Sequence, residues 1–218
     1  MIECLRDPDI SIRRRALDLS FFLINSSNIR ILIRELVVYL EVCEEEIKSS
    51  VSARICEYAG RYRPNKRWEI DTVTRVLRIA GSLVDQDVIN HFVKLVSTGD
   101  NSVHQYATRK LYEIVKSEGI LAHAQEGLIQ ATFWCVGEYG DVLVKPKFAD
   151  SGVLGFADET DGVQIGDESA PREAEVVDLI VSIMRGPYAT NFVKEYGVTA
   201  LAKLAGRFVE PSVVKYIC

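Results

Sequence analysis

Few residues in this 218-residue chain have the type and spacing that chemistry needs. A helical metal site wants two imidazoles one turn apart, or thiols in a C-x-x-C pair, because ligands must converge on one point. His91, His104 and His123 contain no i, i+4 pair, and none stands beside a cysteine motif. Cys4, Cys43, Cys56, Cys135 and Cys218 form no C-x-x-C pair either. An odd set of separated thiols reads as reduced and largely buried, which points to the cytosol.

Two carboxylate clusters, Asp7-Pro8-Asp9 and Glu44-Glu45-Glu46, stand at expected helix starts. Acids there favour the positive end of the helix dipole, so the clusters need no catalytic role. Gly137-Glu138-Tyr139-Gly140-Asp141 has two glycines but neither a G-x-G-x-x-G nor a P-loop pattern, and it falls inside a helical stretch rather than after a strand. No G-x-S-x-G occurs, and no cysteine nucleophile has an evident base. Arg13-Arg14-Arg15 is the densest basic run, but successive helical residues point about 100° apart and make no flat phosphate site. It, Lys66-Arg67 and Arg109-Lys110 are expected to pair with acids of neighbouring helices. Trp68 and Trp134 are expected in the core. The sequence therefore predicts no catalytic, cofactor-binding or metal-ligating residues, no cofactor and no enzyme.

Composition agrees with a folded globular chain. Hydrophobic residues reach 48% and charged residues 26%, enough for a core and a solvated surface. A net charge of −5 argues against general nucleic-acid binding, which needs excess Lys and Arg. Met1 to Asp7 is too polar for a signal peptide, and no apolar run approaches the roughly 20 residues that span a bilayer.

The elements that would position these residues are amphipathic helices in pairs. Asp9 suits the N-cap of the first. Ile12, Ala16, Leu19 and Leu23 make one stripe, and Ile10, Leu17, Phe21 and Ile24 a second, so this helix is expected to pack on two sides. Asn25-Ser26-Ser27-Asn28 breaks the pattern, and a helix over 29–42 follows with Ile29, Ile33, Leu36 and Leu40 on one face. Further pairs are expected over 45–62 and 67–80, split by Arg63-Pro64-Asn65, and over 86–97 and 102–117, split by Thr98-Gly99-Asp100-Asn101. A helix over 124–144 is expected to pair with one over 173–185; 188–208 and a last helix opened by Pro211 complete the set. Leu36 and Leu201 are expected core positions.

Leading helices start near residues 9, 45, 86 and 124, a repeat of about 40 residues, as in HEAT and armadillo arrays. No alternating strand pattern appears. The fold expected is an all-α, right-handed α-solenoid of HEAT/armadillo-like helix pairs, a single segment over 1–218, whose faces hold other proteins. One long loop over 145–172 interrupts it. That loop carries Asp150, Asp158, Glu159, Asp161, Asp167 and Glu168 against Lys145, Lys147 and Arg172, and reads as an acidic solvated spacer. The apolar run Val213 to Ile217 at the end of the sequence is read as the cut edge of a longer array.

Three stretches resemble the large-subunit trunks of clathrin adaptor complexes, the adaptins. They are Asp7 to Ser20 (DPDISIRRRALDLS), Lys66 to Ser82 (KRWEIDTVTRVLRIAGS) and, most specifically, Trp134 to Asp141 (WCVGEYGD). In the last, the Gly-Glu-aromatic core is shared by adaptins generally, and the Trp-Cys and Gly-Asp flanks point to the gamma branch. The resemblance covers about Leu5 to Phe208 and places the chain in the middle-to-C-terminal part of a trunk.

The resemblance implies a scaffold within a heterotetramer of two large, one medium and one small subunit, on the cytoplasmic side of trans-Golgi and endosomal membranes and on clathrin-coated vesicles. It implies beta, medium and small chains as direct partners. An Arf-type GTPase, phosphoinositide, cargo and clathrin would be met largely through parts of the parent protein outside this window. No individual binding residue carries over. The alternative is the HEAT-repeat scaffold of another vesicle coat or a transport-receptor solenoid.

Overall fold

A computed structural model describes residues 2–119, 124–145 and 170–217. Among these residues there are ten α-helices, two 3-10 turns and no strand, as the helical periodicity predicts. The acidic loop expected over 145–172 lies, except for Lys145 and 170–172, outside the described residues, as do His123 and Cys218. The chain divides into two compact units, residues 1–95 and 96–218.

The first unit opens with a 3-10 turn, Ile2–Arg6, packed on α1, Ile10–Phe22. Asp9 caps α1 by accepting from the Ser11 N–H at 2.7 Å, as its type and position predict. In the link that follows, Asn25 and Asn28 accept from each other's flanking backbone: Asn28 Oδ1 from the Asn25 N–H at 2.8 Å, and Asn25 Oδ1 from the Ser27 N–H at 2.9 Å. Then come α2, Ile29–Val42; α3, Glu45–Tyr62; and α4, Lys66–Ala80. A short turn, Gly81–Leu83, leads to α5, Gln86–Ser97, all but two residues of which belong to this unit. Asn65 caps α4, accepting from the Trp68 N–H at 2.8 Å.

Helices α2, α3 and α4 pack mutually. The α2 stripe Ile29, Ile33, Leu36 and Leu40 is buried, as its spacing predicts. The expectation for α1 is corrected. Ala16, Leu17, Phe21 and Ile24 are buried, with the Phe21 ring 5.3 Å from that of Tyr58 on α3, but Ile12, Leu19 and Leu23 are 43%, 54% and 47% exposed and Ile10 is exposed as well. The helix packs on one side, because no described residue of this unit covers the outward stripe. Trp68 is half-buried at the edge of α4 rather than central in the core.

The second unit holds α6, Asn101–Glu118; α7, Glu126–Leu143; α8, Glu173–Met184; α9, Asn191–Ala205; and α10, Pro211–Ile217. Asp100 caps α6, accepting from the Val103 N–H at 2.9 Å, and Thr190 caps α9. Helix α7 is nearly apolar all round and is the buried centre of this unit. Its closest neighbours are α6 and α9, while α8 lies against α9 and α10. The sequence-based pairing of α7 with α8 is thereby corrected; small residues on α7 and α9 let those two helices approach closely instead. Leu204 is fully buried, whereas the expected core residue Leu201 is half-exposed.

Candidate functional site

The stretch Trp134 to Asp141, the most distinctive in the sequence, forms the contact surface of α7. A Cβ on Gly137 would lie 2.9 Å from the Ala200 Cα of α9, closer than real Cβ atoms come. A Cβ on Gly140 would collide with the Leu204 side chain. Both glycines are therefore explained by helix packing, not by a phosphate-binding loop.

Glu138 locks the same two helices. Its carboxylate accepts from Lys203 Nζ at 2.8 Å and from Arg207 Nη2 at 2.8 Å. The Lys203 hydrogen bond, aided by the charges of both partners, holds its carboxyl below the usual carboxylate range against a smaller opposing effect of burial. The backbone leaves helical geometry at Tyr139, where φ is −125° and ψ 23°. Glycines flank this kink, and the Glu138 carbonyl there accepts a further bond from Arg207 Nη1. The Tyr139 ring stacks on His104 of α6 at 4.1 Å and meets Trp134 edge-on at 5.9 Å.

Helix α6 secures the C-terminal end of α7. The last carbonyls of any helix lack intrahelical donors. Gln105 Nε2 donates to the Val142 carbonyl at 3.2 Å, and Arg109 Nη2 donates to the Lys145 carbonyl at 3.3 Å. Arg109 and Lys110 are both buried, so that basic pair faces protein, not solvent. At the opposite end of α7, the Thr190 hydroxyl donates to Glu126 Oε1 at 3.0 Å.

The first unit has an ionic node centred on a buried carboxylate, which motif reading missed. Glu69 on α4 is fully buried. Its Oε1 lies 2.9 Å from His91 Nε2 of α5, and its Oε2 accepts from Arg63 Nη1 at 2.7 Å. Burial by itself would push this carboxyl up, but the hydrogen bonds and charges of His91 and Arg63 together hold it below the ordinary range. The nearby Cys56 thiol is pushed up to about 12 by burial and by the Glu69 charge, so it is a poor nucleophile. No spacing rule links residues 63, 69 and 91; only folding brings them together.

Of the other sequence candidates, Arg13 pairs with Glu44 and also donates to the Asp7 carbonyl at 2.9 Å, as expected for a basic residue beside the next helix pair. Arg14 and Arg15 are exposed. Asp7 accepts from the Asp9 N–H at 2.9 Å and Glu45 and Glu46 occupy the first turn of α3, which accounts for both acidic clusters. Among the described residues no group of His, Cys, Asp and Glu is arranged to hold a metal, and no helix is long and apolar enough to cross a membrane. Chemically, the polar groups of both nodes are engaged in joining helices.

The sequence profile of the family described as "Adaptin N terminal region" matches residues 1–218. The chain is 39% identical to "AP-1 complex subunit gamma" of Dictyostelium discoideum over 97% of its length, and 39% identical to "AP-1 complex subunit gamma-1" of Mycosarcoma maydis, also over 97%. It is 31% identical to "AP-2 complex subunit alpha-1" of Arabidopsis thaliana over 66% of its length. The chain spans 22% of the first two relatives and 14% of the third.

Proposed function

Because the chain belongs to the adaptin N-terminal family, we propose that it is a structural trunk segment of the large subunit of a heterotetrameric clathrin adaptor, of the gamma type. The observation that carries this reading is the 39% identity to gamma subunits over 97% of the chain, within a family match over residues 1–218. The structure supports it by giving the most specific stretch, Trp134 to Asp141, a physical role in joining α7 to α6 and α9. Residues spent on holding helices in register suit a rigid scaffold, and repeat arrays of this kind work by presenting extended surfaces to other proteins.

On this reading the segment does no chemistry. It is one continuous solenoid over 1–218, bearing the acidic loop as a spacer. Beta, medium and small chains are its direct partners; an Arf-type GTPase, cargo and clathrin are reached mostly through other parts of the parent. The complex works as a peripheral coat on the cytoplasmic face of trans-Golgi and endosomal membranes, in cargo-selective vesicle formation.

Co-expression of the parent protein with a beta, a medium and a small adaptor chain tests the assignment. A four-chain assembly is the expected product in size-exclusion chromatography with light scattering. A parent protein that stays monomeric beside those chains would overturn it.

A further inference from the structure

Between α7 and α9 lies a groove of about 250 Å³. Ligand and cofactor sites usually measure about 300–1,000 Å³, so this one suits a single anchoring side chain rather than a small molecule. Phe133, Trp134, Tyr196 and Ala200 provide its apolar lining. Phe133 and Ala200 are buried, while Trp134 and Tyr196 are half-buried, leaving aromatic surface open to an incoming group.

Two charges line the groove, Glu195 and Lys203, two turns and about 12 Å apart along α9. They are not equivalent. Lys203 is held by Glu138 at 2.8 Å, a carboxylate that Arg207 also engages. Glu195 is exposed and, among the described residues, takes part in no ion pair. The groove therefore presents aromatic walls and one unmatched negative charge.

We propose that this groove docks an arginine side chain from a protein partner. The guanidinium and its stem match both features: the aliphatic stem covers apolar surface, the planar cation lies against an aromatic ring, and the charge meets Glu195. Arginine, tryptophan and tyrosine are also the residues most concentrated at interface hot spots. An acidic anchor would meet Glu195 and would have to compete with Glu138 for Lys203, and a purely apolar one would leave the Glu195 charge unanswered.

The test uses the full chain and the capped tripeptide Leu-Arg-Leu, with Leu-citrulline-Leu as its neutral counterpart. The indole N–H signals are followed by two-dimensional NMR, Trp134 being assigned through Trp134→Phe and Trp68 serving as an internal control. The expected result is a saturable shift of the Trp134 signal alone, about tenfold weaker with citrulline and about threefold weaker with arginine in Glu195→Gln. Equal affinity for the two peptides, no saturable shift, or an affinity unchanged by Glu195→Gln overturns the proposal. Peptide binding reports on the groove alone, while subunit co-assembly reports on the adaptor role, so the two can fail separately.

Discussion

Glu138 of α7 and Lys203 of α9 form an ion pair at 2.8 Å, and Arg207 joins the same carboxylate from one turn further along the chain. The acid belongs to the sequence stretch that most resembles adaptins, while its two bases come from a region with no motif. Replacing Glu138 with Gln is expected to cost about 0.5–1.5 kcal/mol, the range for a partly exposed ionic network. The loss should shrink in high salt, because screening weakens the wild-type pair. Urea midpoints at two salt concentrations check this; an unchanged midpoint at low salt would show that the pair contributes nothing.

Gly137→Ala sets two effects against each other. Alanine raises helix propensity by about 1 kcal/mol. Its methyl, however, would sit 2.9 Å from the Ala200 Cα, a backbone wall that cannot rotate away. Overpacking of this kind costs about 1–3 kcal/mol, so a net loss is expected. Gly206→Ala is the control: its backbone is right-handed helical and its Cβ would meet the Lys203 carbonyl at an ordinary 3.6 Å, so its stability should hold or rise by about 0.4–1 kcal/mol.

Leu36→Ala and Leu204→Ala should each destabilise by about 2–5 kcal/mol, since both side chains are buried and leave cavities. Leu201→Ala should cost clearly less, since Leu201 is half-exposed. Denaturant midpoints that rank Leu201 with Leu204 would contradict the burial pattern of α9.

Glu69 makes stability depend on pH with a definite sign. Its carboxyl is held below the ordinary value in the folded protein, so its contribution is present above the unfolded value near 4.3 and is lost as pH falls through the folded value. Glu69→Gln should cost about 1–3 kcal/mol at pH 7, the range for buried hydrogen bonds to a charged group. The gap between the two proteins should close on acidification. Urea titrations from pH 7 down to about pH 3 check this, and a gap that widens toward acid would reverse the assignment.

Cysteine reactivity should divide by burial. Cys56 and Cys135 are buried, and burial raises both thiols, with Cys56 reaching about 12. Neither should react with a thiol-specific alkylating reagent until denaturant is added, whereas exposed Cys4 should react at once. Peptide mapping by mass spectrometry reads each site separately.

Helix positions were legible in the sequence because their signals are local. Asp9 carries a short acceptor side chain that reaches a backbone N–H two residues on, and the breaks read at Asn65 and Asp100 turn out to hold caps of the same kind. The α2 stripe follows from helix geometry alone, since Ile29, Ile33, Leu36 and Leu40 share one face whatever lies opposite. The failures concern what lies opposite. Periodicity showed that α1 has two apolar stripes but could not show that Ile12, Leu19 and Leu23 remain exposed.

By itself, then, the sequence determined the all-α repeat pattern, the Asp9 cap, and the likeness of residues 134–141 to adaptins. The tertiary structure decided which helices meet: α7 with α9 through Gly137 and Ala200, Glu138 with Lys203 and Arg207, and Glu69 with Arg63 and His91. The physical reason is one of range. Propensity and periodicity act over a few neighbouring residues, whereas these contacts join positions separated by as many as 69 residues and exist only once the backbones have packed.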